Sequence, residues 1–237
     1  MTQTIAAPQF TAQLTPDPTA GFRRFCTAVA LPLGILAQAV VNLAYALATL
    51  NGGDDSTAAN AMELYSSEEG LLRLATVALI VGVMILIVGL PTATRVLRPT
   101  RPRLALIAVA LMGAGYISYA VVSGTNWLVM ALGEHHVDAA AAIDASQNDP
   151  SAQPWFLVFV AGNLVGTLLL GLAALLSRGV PKLAGVLIIA WPVLHVTGLI
   201  AGSEWFEVAG AILETVGLAM VAAIALRLPL DEWRTRG

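Results

Sequence analysis

Two carboxylates, Glu207 and Glu214, stand in the apolar segment Trp205–Leu226 with no other charge between them. Seven residues separate them, about two helical turns, so both fall on one helix face together with Gly210 and Gly217. A carboxyl group in apolar surroundings either keeps its proton or finds a cation, which makes it a natural responder to protons or ions. His195 is the one imidazole inside an apolar stretch, and it shares a face with Ile188, Trp191, Gly198 and Gly202. Three further stretches carry polar stripes at steps of three and four. These are Gly34, Gln38, Asn42, Tyr45 and Thr49; Tyr116, Tyr119, Ser123 and Asn126; and Gly162, Asn163 and Gly166. From these stripes, Glu214, His195, Asn163, Asn42, Tyr116, Gln38, Tyr119 and Glu207 form the candidate ligand-binding set.

The competing reading is that the same residues are interhelical glue. Gly162–Gly166 and Gly198–Gly202 are GxxxG pairs that let helices approach closely, and Asn, Gln and Tyr commonly hydrogen-bond between membrane helices. Glu214 stands apart from that reading, because a mid-membrane carboxyl needs protonation or a partner. His195 and Arg73 are the available cations.

No complete catalytic set is present. Glu68-Glu69-Gly70-Leu71-Leu72-Arg73 matches the EExxxR motif of intramembrane CAAX-type proteases, but no Phe has a His four residues later. Val121-Val122-Ser123-Gly124 lacks the first Gly of the rhomboid-type GxSG. A single intramembrane His excludes bis-histidine haem ligation within one chain. Glu134-His135-His136-Val137-Asp138 is the best metal candidate, through His135, His136 and Asp138, yet adjacent histidines lack the spacing of a helical site, and a solvated loop explains them equally well. No cofactor is expected.

The elements that must position these residues follow from composition. Hydrophobic residues make up 57% and charged residues 11% of 237, against about 25% charged in soluble domains. Lipid must therefore solvate most of the chain. Six apolar stretches are each long enough for a hydrocarbon core that takes about 20 helical residues: Phe25–Leu50, Leu71–Thr94, Leu104–Met130, Trp155–Ser177, Leu183–Ala201 and Trp205–Leu226. Without water to bond their backbones, they must be helices. The expected fold is all-α, a polytopic bundle of six transmembrane helices.

Eleven of the twelve basic residues, all but Arg73, fall in alternate loops and at both ends. The positive-inside rule makes that side cytoplasmic, with both termini in the cytoplasm and the acidic loops Asn51–Gly70 and Gly133–Pro154 outside. Asp138–Gln147 could form a short helix in the second of these loops. By rise per residue, the polar lining opens outward and ends near Glu214, mid-membrane. Residues 1–22 read as a disordered cytoplasmic tail, 23–230 as the membrane domain and 231–237 as a C-terminal tail. Arg23-Arg24 with its apolar run reads as a retained helix, not a cleaved signal. Cys26 is the only cysteine, which excludes an internal disulfide. The scattered basic residues exclude a nucleic-acid patch. Val81-Gly82, Val165-Gly166 and Val216-Gly217, each followed by an arginine, suggest a parallel two-helix repeat. Pro32, Pro91 and Pro192 interrupt helices, and Pro192 stands one turn before His195.

Two stretches carry a resemblance. One runs from Leu71-Leu72-Arg73-Leu74 through Arg95-Val96-Leu97-Arg98-Pro99 to Arg103-Leu104-Ala105-Leu106, and the other is Gly179-Val180-Pro181-Lys182-Leu183-Ala184-Gly185-Val186-Leu187. They resemble a six-helix bacterial membrane family catalogued as domain of unknown function 4386. That resemblance implies the same topology and a bacterial inner membrane, and it brings no activity or site residues. The expected partners are the lipid bilayer, a small-molecule or ion ligand, and a protein partner or second copy of the chain. The leading expectation is a small transporter or sensor with an outward-facing polar pocket. The alternative is an accessory subunit whose second span offers an apolar face to a partner helix.

Overall fold

In a computed structural model the structure describes residues 17–236. Of the disordered tail expected over 1–22, residues 1–16 lie outside the described residues, and the first helix already begins at Ala20, inside the expected tail. Ten helices and no strand occur among the described residues. The spans are α1 (Ala20–Ala48), α3 (Glu69–Leu97), α4 (Pro102–Ser123) continued by α5 (Asn126–Glu134), α7 (Gln153–Leu176), α8 (Lys182–Ala201) and α9 (Trp205–Arg227). All six are long and apolar enough to cross a membrane. The chain is a multi-pass helical membrane protein, as expected.

Consecutive spans pack side by side, and α9 closes the ring against α1. α9 also touches α3 across the centre. Glycines set the approach distances. A Cβ on Gly89 of α3 would stand 2.4 Å from the Leu31 Cα, and one on Gly34 of α1 would stand 2.5 Å from the Leu86 Cβ. Gly162 and Gly166 of α7 lie directly against the backbone of Leu111, Met112 and Gly115 of α4, so this GxxxG pair is a helix contact. Gly202 is not. It ends α8 in the left-handed conformation at φ +64, with nothing near its missing side chain, and its N–H bonds the Gly198 carbonyl. The outward faces are apolar: Leu74, Val77, Val81, Met84 and Val88 recur along α3, all exposed to where lipid lies.

The two acidic loops are more ordered than their composition suggests. The first folds into α2 (Ala58–Ser67), capped by Thr57, whose hydroxyl accepts from the Asn60 N–H at 3.2 Å. The second contains the expected short helix, α6 (Ala140–Gln147), whose Asp144 accepts from the Ala58 N–H at 3.2 Å. The third span breaks at Gly124-Thr125, and α5 then packs on α2 through Val129, Met130, Leu64 and Tyr65. At the opposite, arginine-rich end, α10 (Leu230–Thr235) lies against α1 and buries Trp233.

Candidate functional site

The α8–α9 turn at Gly202–Glu204 folds two antiparallel helices together and sets His195 opposite Glu207. Their Nδ1 and Oε1 stand 2.9 Å apart, both mostly buried. The contact has ion-pair distance without the alignment of a hydrogen bond. Trp191, one turn further into α8, stacks on the His195 ring at 5.1 Å between centroids and 20° between planes. That leaves Glu207, not Glu214, as the partner of His195.

From Glu207 a polar chain runs around the bundle. Asn42 Nδ2 of α1 donates to the Glu207 carbonyl at 3.2 Å, and Gln38 Nε2 donates to Asn42 Oδ1 at 3.3 Å. The Tyr119 hydroxyl of α4 is within hydrogen-bonding reach of Gln38, and its ring stacks on Phe159 at 4.5 Å. Five of the eight sequence candidates, on four spans, therefore belong to one connected set.

The other three are not joined to that set, and Glu214 lies about two turns further along α9 than Glu207. Glu214, Tyr116 and Asn163 lie 13 or 14 residues from the arginine-rich ends of α9, α4 and α7, about 20 Å by helical rise. Glu214 is fully buried, Tyr116 and Asn163 nearly so. Glu214 and Tyr116 are close enough to interact electrostatically. Neither Glu214 oxygen has a hydrogen-bond partner, and the same holds for the Tyr116 hydroxyl, Asn163 Oδ1, Thr167 Oγ1 and Trp191 Nε1. Gly210 and Gly217, on the same face of α9 as Glu214, meet Trp191 and Ile188, so Glu214 projects at the α8 interface. The cations considered for Glu214 are engaged elsewhere: His195 with Glu207, and Arg73 with Glu69 one turn before it.

Above the His195–Glu207 pair, a cleft of about 440 Å³ opens at the acidic end between Tyr45, Asp55, Gly202 and Glu204. The Tyr45 hydroxyl reaches the Asp55 carboxylate. Glu204, at the head of α9, is pushed up to about 7 by burial first and then by the Glu207 and Asp55 carboxylates, with His195 opposing. Asp54 on the rim is held down at about 2 by hydrogen bonds from Asn60 and Ser56. The cleft lining includes neither His195 nor Glu214. Asp55 and Glu204 were not among the sequence candidates. A hairpin centred on residue 201 would have paired 195 with 207 and placed Glu204 beside them, but Asp55 depends on how the first loop folds.

His135 ends α5 and His136 follows with φ 50, and among the described residues no group of three His, Cys, Asp or Glu side chains gathers to hold a metal. No family model, no curated protein and no solved structure matches this chain.

Proposed function

We propose that this protein is a membrane binding protein, a small transporter or a sensor, whose ligand is a proton or small cation entering from the acidic end. The observation that carries the proposal is the His195–Glu207 pair, buried beneath Glu204 and Asp55 and tied through Asn42 and Gln38 to Tyr119. Structural glue satisfies its own polar atoms. Here carboxylates accumulate along one route while cations do not, and the inner carboxylate, Glu214, has no partner. Buried unpaired carboxyls cost stability, so they persist where a function needs them.

The acidic end is read as the outside and the arginine-rich end as the cytoplasm of a bacterial inner membrane, on the charge bias of the loops and the resemblance to the six-helix family. Both termini then lie in the cytoplasm. Glu214 is the responsive group, with Asn163 and Tyr116 beside it and Glu207 and His195 as the outer station.

The test is substitution at Glu214 in the purified full chain in lipid nanodiscs, titrated with protons and with monovalent and divalent cations. Glu214→Gln, which keeps shape and removes charge, should change binding or its pH dependence while the protein stays folded. Glu214→Leu should be more stable and lose the response. A more stable Glu214→Leu protein with every response intact would leave the accessory-subunit reading in its place.

A further inference from the structure

The arginine-rich end holds a second, separate arrangement. Trp233 of α10 is 1% exposed, and the Arg95 guanidinium of α3 stands over its ring at 3.9 Å from the centroid. Arg23 of α1 approaches the same ring at 6.0 Å. Arg24 donates to the Leu228 carbonyl just before α10. Arg23 is neutralised by Asp17. Arg95 and Arg24 make no ion pair with a carboxylate among the described residues.

Three buried atoms here lack any hydrogen-bond partner: Arg24 Nε, Arg95 Nε and Trp233 Nε1. Guanidinium and indole nitrogens can only donate. α1, α3 and α10 thus each carry an unsatisfied donor at this end, and two cations, Arg95 and Arg23, stand on one indole close enough to repel each other. The group that completes such a set is an anion with several acceptor oxygens. Phosphate suits it, since guanidinium forks match its geometry and strengthen the bonds with charge. The loop charge bias puts this end at the leaflet face where anionic lipids attract basic residues.

We propose that Arg24, Arg95 and Trp233 form a phosphate-binding site, closed from below by α10. The ligand is a phosphate group, carried by an anionic lipid or by a soluble ion, and the site is independent of the acidic-end site.

The full-length protein would be placed in nanodiscs of pure phosphatidylcholine, and of phosphatidylcholine with increasing phosphatidylglycerol, and its melting temperature followed. A parallel titration would add inorganic phosphate to the phosphatidylcholine nanodiscs, with chloride at matched ionic strength as control. A saturable rise with phosphatidylglycerol alone assigns a lipid headgroup, and a saturable rise with inorganic phosphate assigns a soluble anion. In either case Arg95→Gln should weaken the apparent affinity at least tenfold. Trp233→Phe keeps the ring that Arg95 covers but removes its N–H, and should weaken affinity several-fold. If Arg95→Gln does not fold, the Trp233→Phe titration decides alone. Absence of a saturable effect from either probe, or an effect unchanged in every variant that folds, overturns the proposal.

Discussion

The His195 imidazole and the Glu207 carboxylate face each other at 2.9 Å across the α8–α9 hairpin, with the Trp191 ring stacked behind the imidazole. Twelve residues separate the pair in sequence, and the turn at Gly202 lies between them. The contact therefore reports directly on how that hairpin is seated in the bundle.

Coupling between the two should be measurable. A double-mutant cycle with His195→Gln and Glu207→Gln, read by unfolding in detergent, is expected to give an interaction energy of about 0.5–3 kcal/mol, the range for contacting residues. Additivity within about 0.3 kcal/mol would mean that the two side chains are neighbours without interaction.

Glu204 predicts a pH dependence whose sign is fixed. Its carboxyl titrates at about 7 in the fold against an ordinary 4.5. Between those values the folded chain holds a proton that the unfolded chain has released. The stability linked to Glu204 is complete below about pH 4.5 and is lost as the pH rises to about 7. Cation affinity in the cleft runs the other way, rising as Glu204 ionises through pH 7. Melting temperatures from pH 4 to 8 should show the slope in the native protein and a flatter one in Glu204→Gln. Equal slopes would remove Glu204 from the account.

Two glycines on α3 should respond oppositely to alanine. At Gly89 the added methyl meets the Leu31 backbone at 2.4 Å, so α1 and α3 must separate, with an expected loss of about 1–3 kcal/mol, as in overpacked cores. At Gly70 nothing lies within 4 Å and the site is exposed in the first turn of α3. Alanine there should stabilise by roughly 0.5–1 kcal/mol, through a less flexible unfolded chain. A thermal-shift comparison of the two variants is enough, and a Gly89→Ala protein as stable as Gly70→Ala would contradict the α1–α3 packing.

Sidedness can be read with thiols. In a Cys26→Ser background, Ser146→Cys on α6 should react with an impermeant maleimide added to intact cells, and Pro99→Cys in the α3–α4 turn should react only after lysis. The reverse pattern would invert the orientation argued from the basic loops.

Much of the architecture was legible in the sequence because lipid imposes a length and polarity rule that is hard to disguise. Each span begins or ends within about five residues of its apolar stretch, and the third differs because it breaks after Ser123 and resumes at Asn126. The Ala-rich stretch before Gln147 forms a helix, as its composition suggested. Helical spacing also identified the polar faces. It could not show which faces meet. The α1 stripe illustrates why: Gly34 turns toward Leu86 of α3, while Asn42, two turns later, turns toward α9. α2 stayed hidden because ten residues are too few for a span, although Ala58, Ala61, Met62 and Tyr65 recur at helical spacing and the helix packs on α5 and α6. Trp233 was hidden likewise, since one aromatic residue among charges gives no sign of what covers it.

Closure of the helix ring has a consequence for biogenesis. The Asn42 side chain bonds a carbonyl 165 residues further along the chain. At a ribosomal rate of about 5–20 residues per second, α1 enters the bilayer roughly 10–30 s before α9 exists. During that interval Gln38 and Asn42 must be sheltered by the insertion machinery or by the nascent α3. Whichever shelters them, the first span stays open on the side that α9 will cover until the sixth emerges.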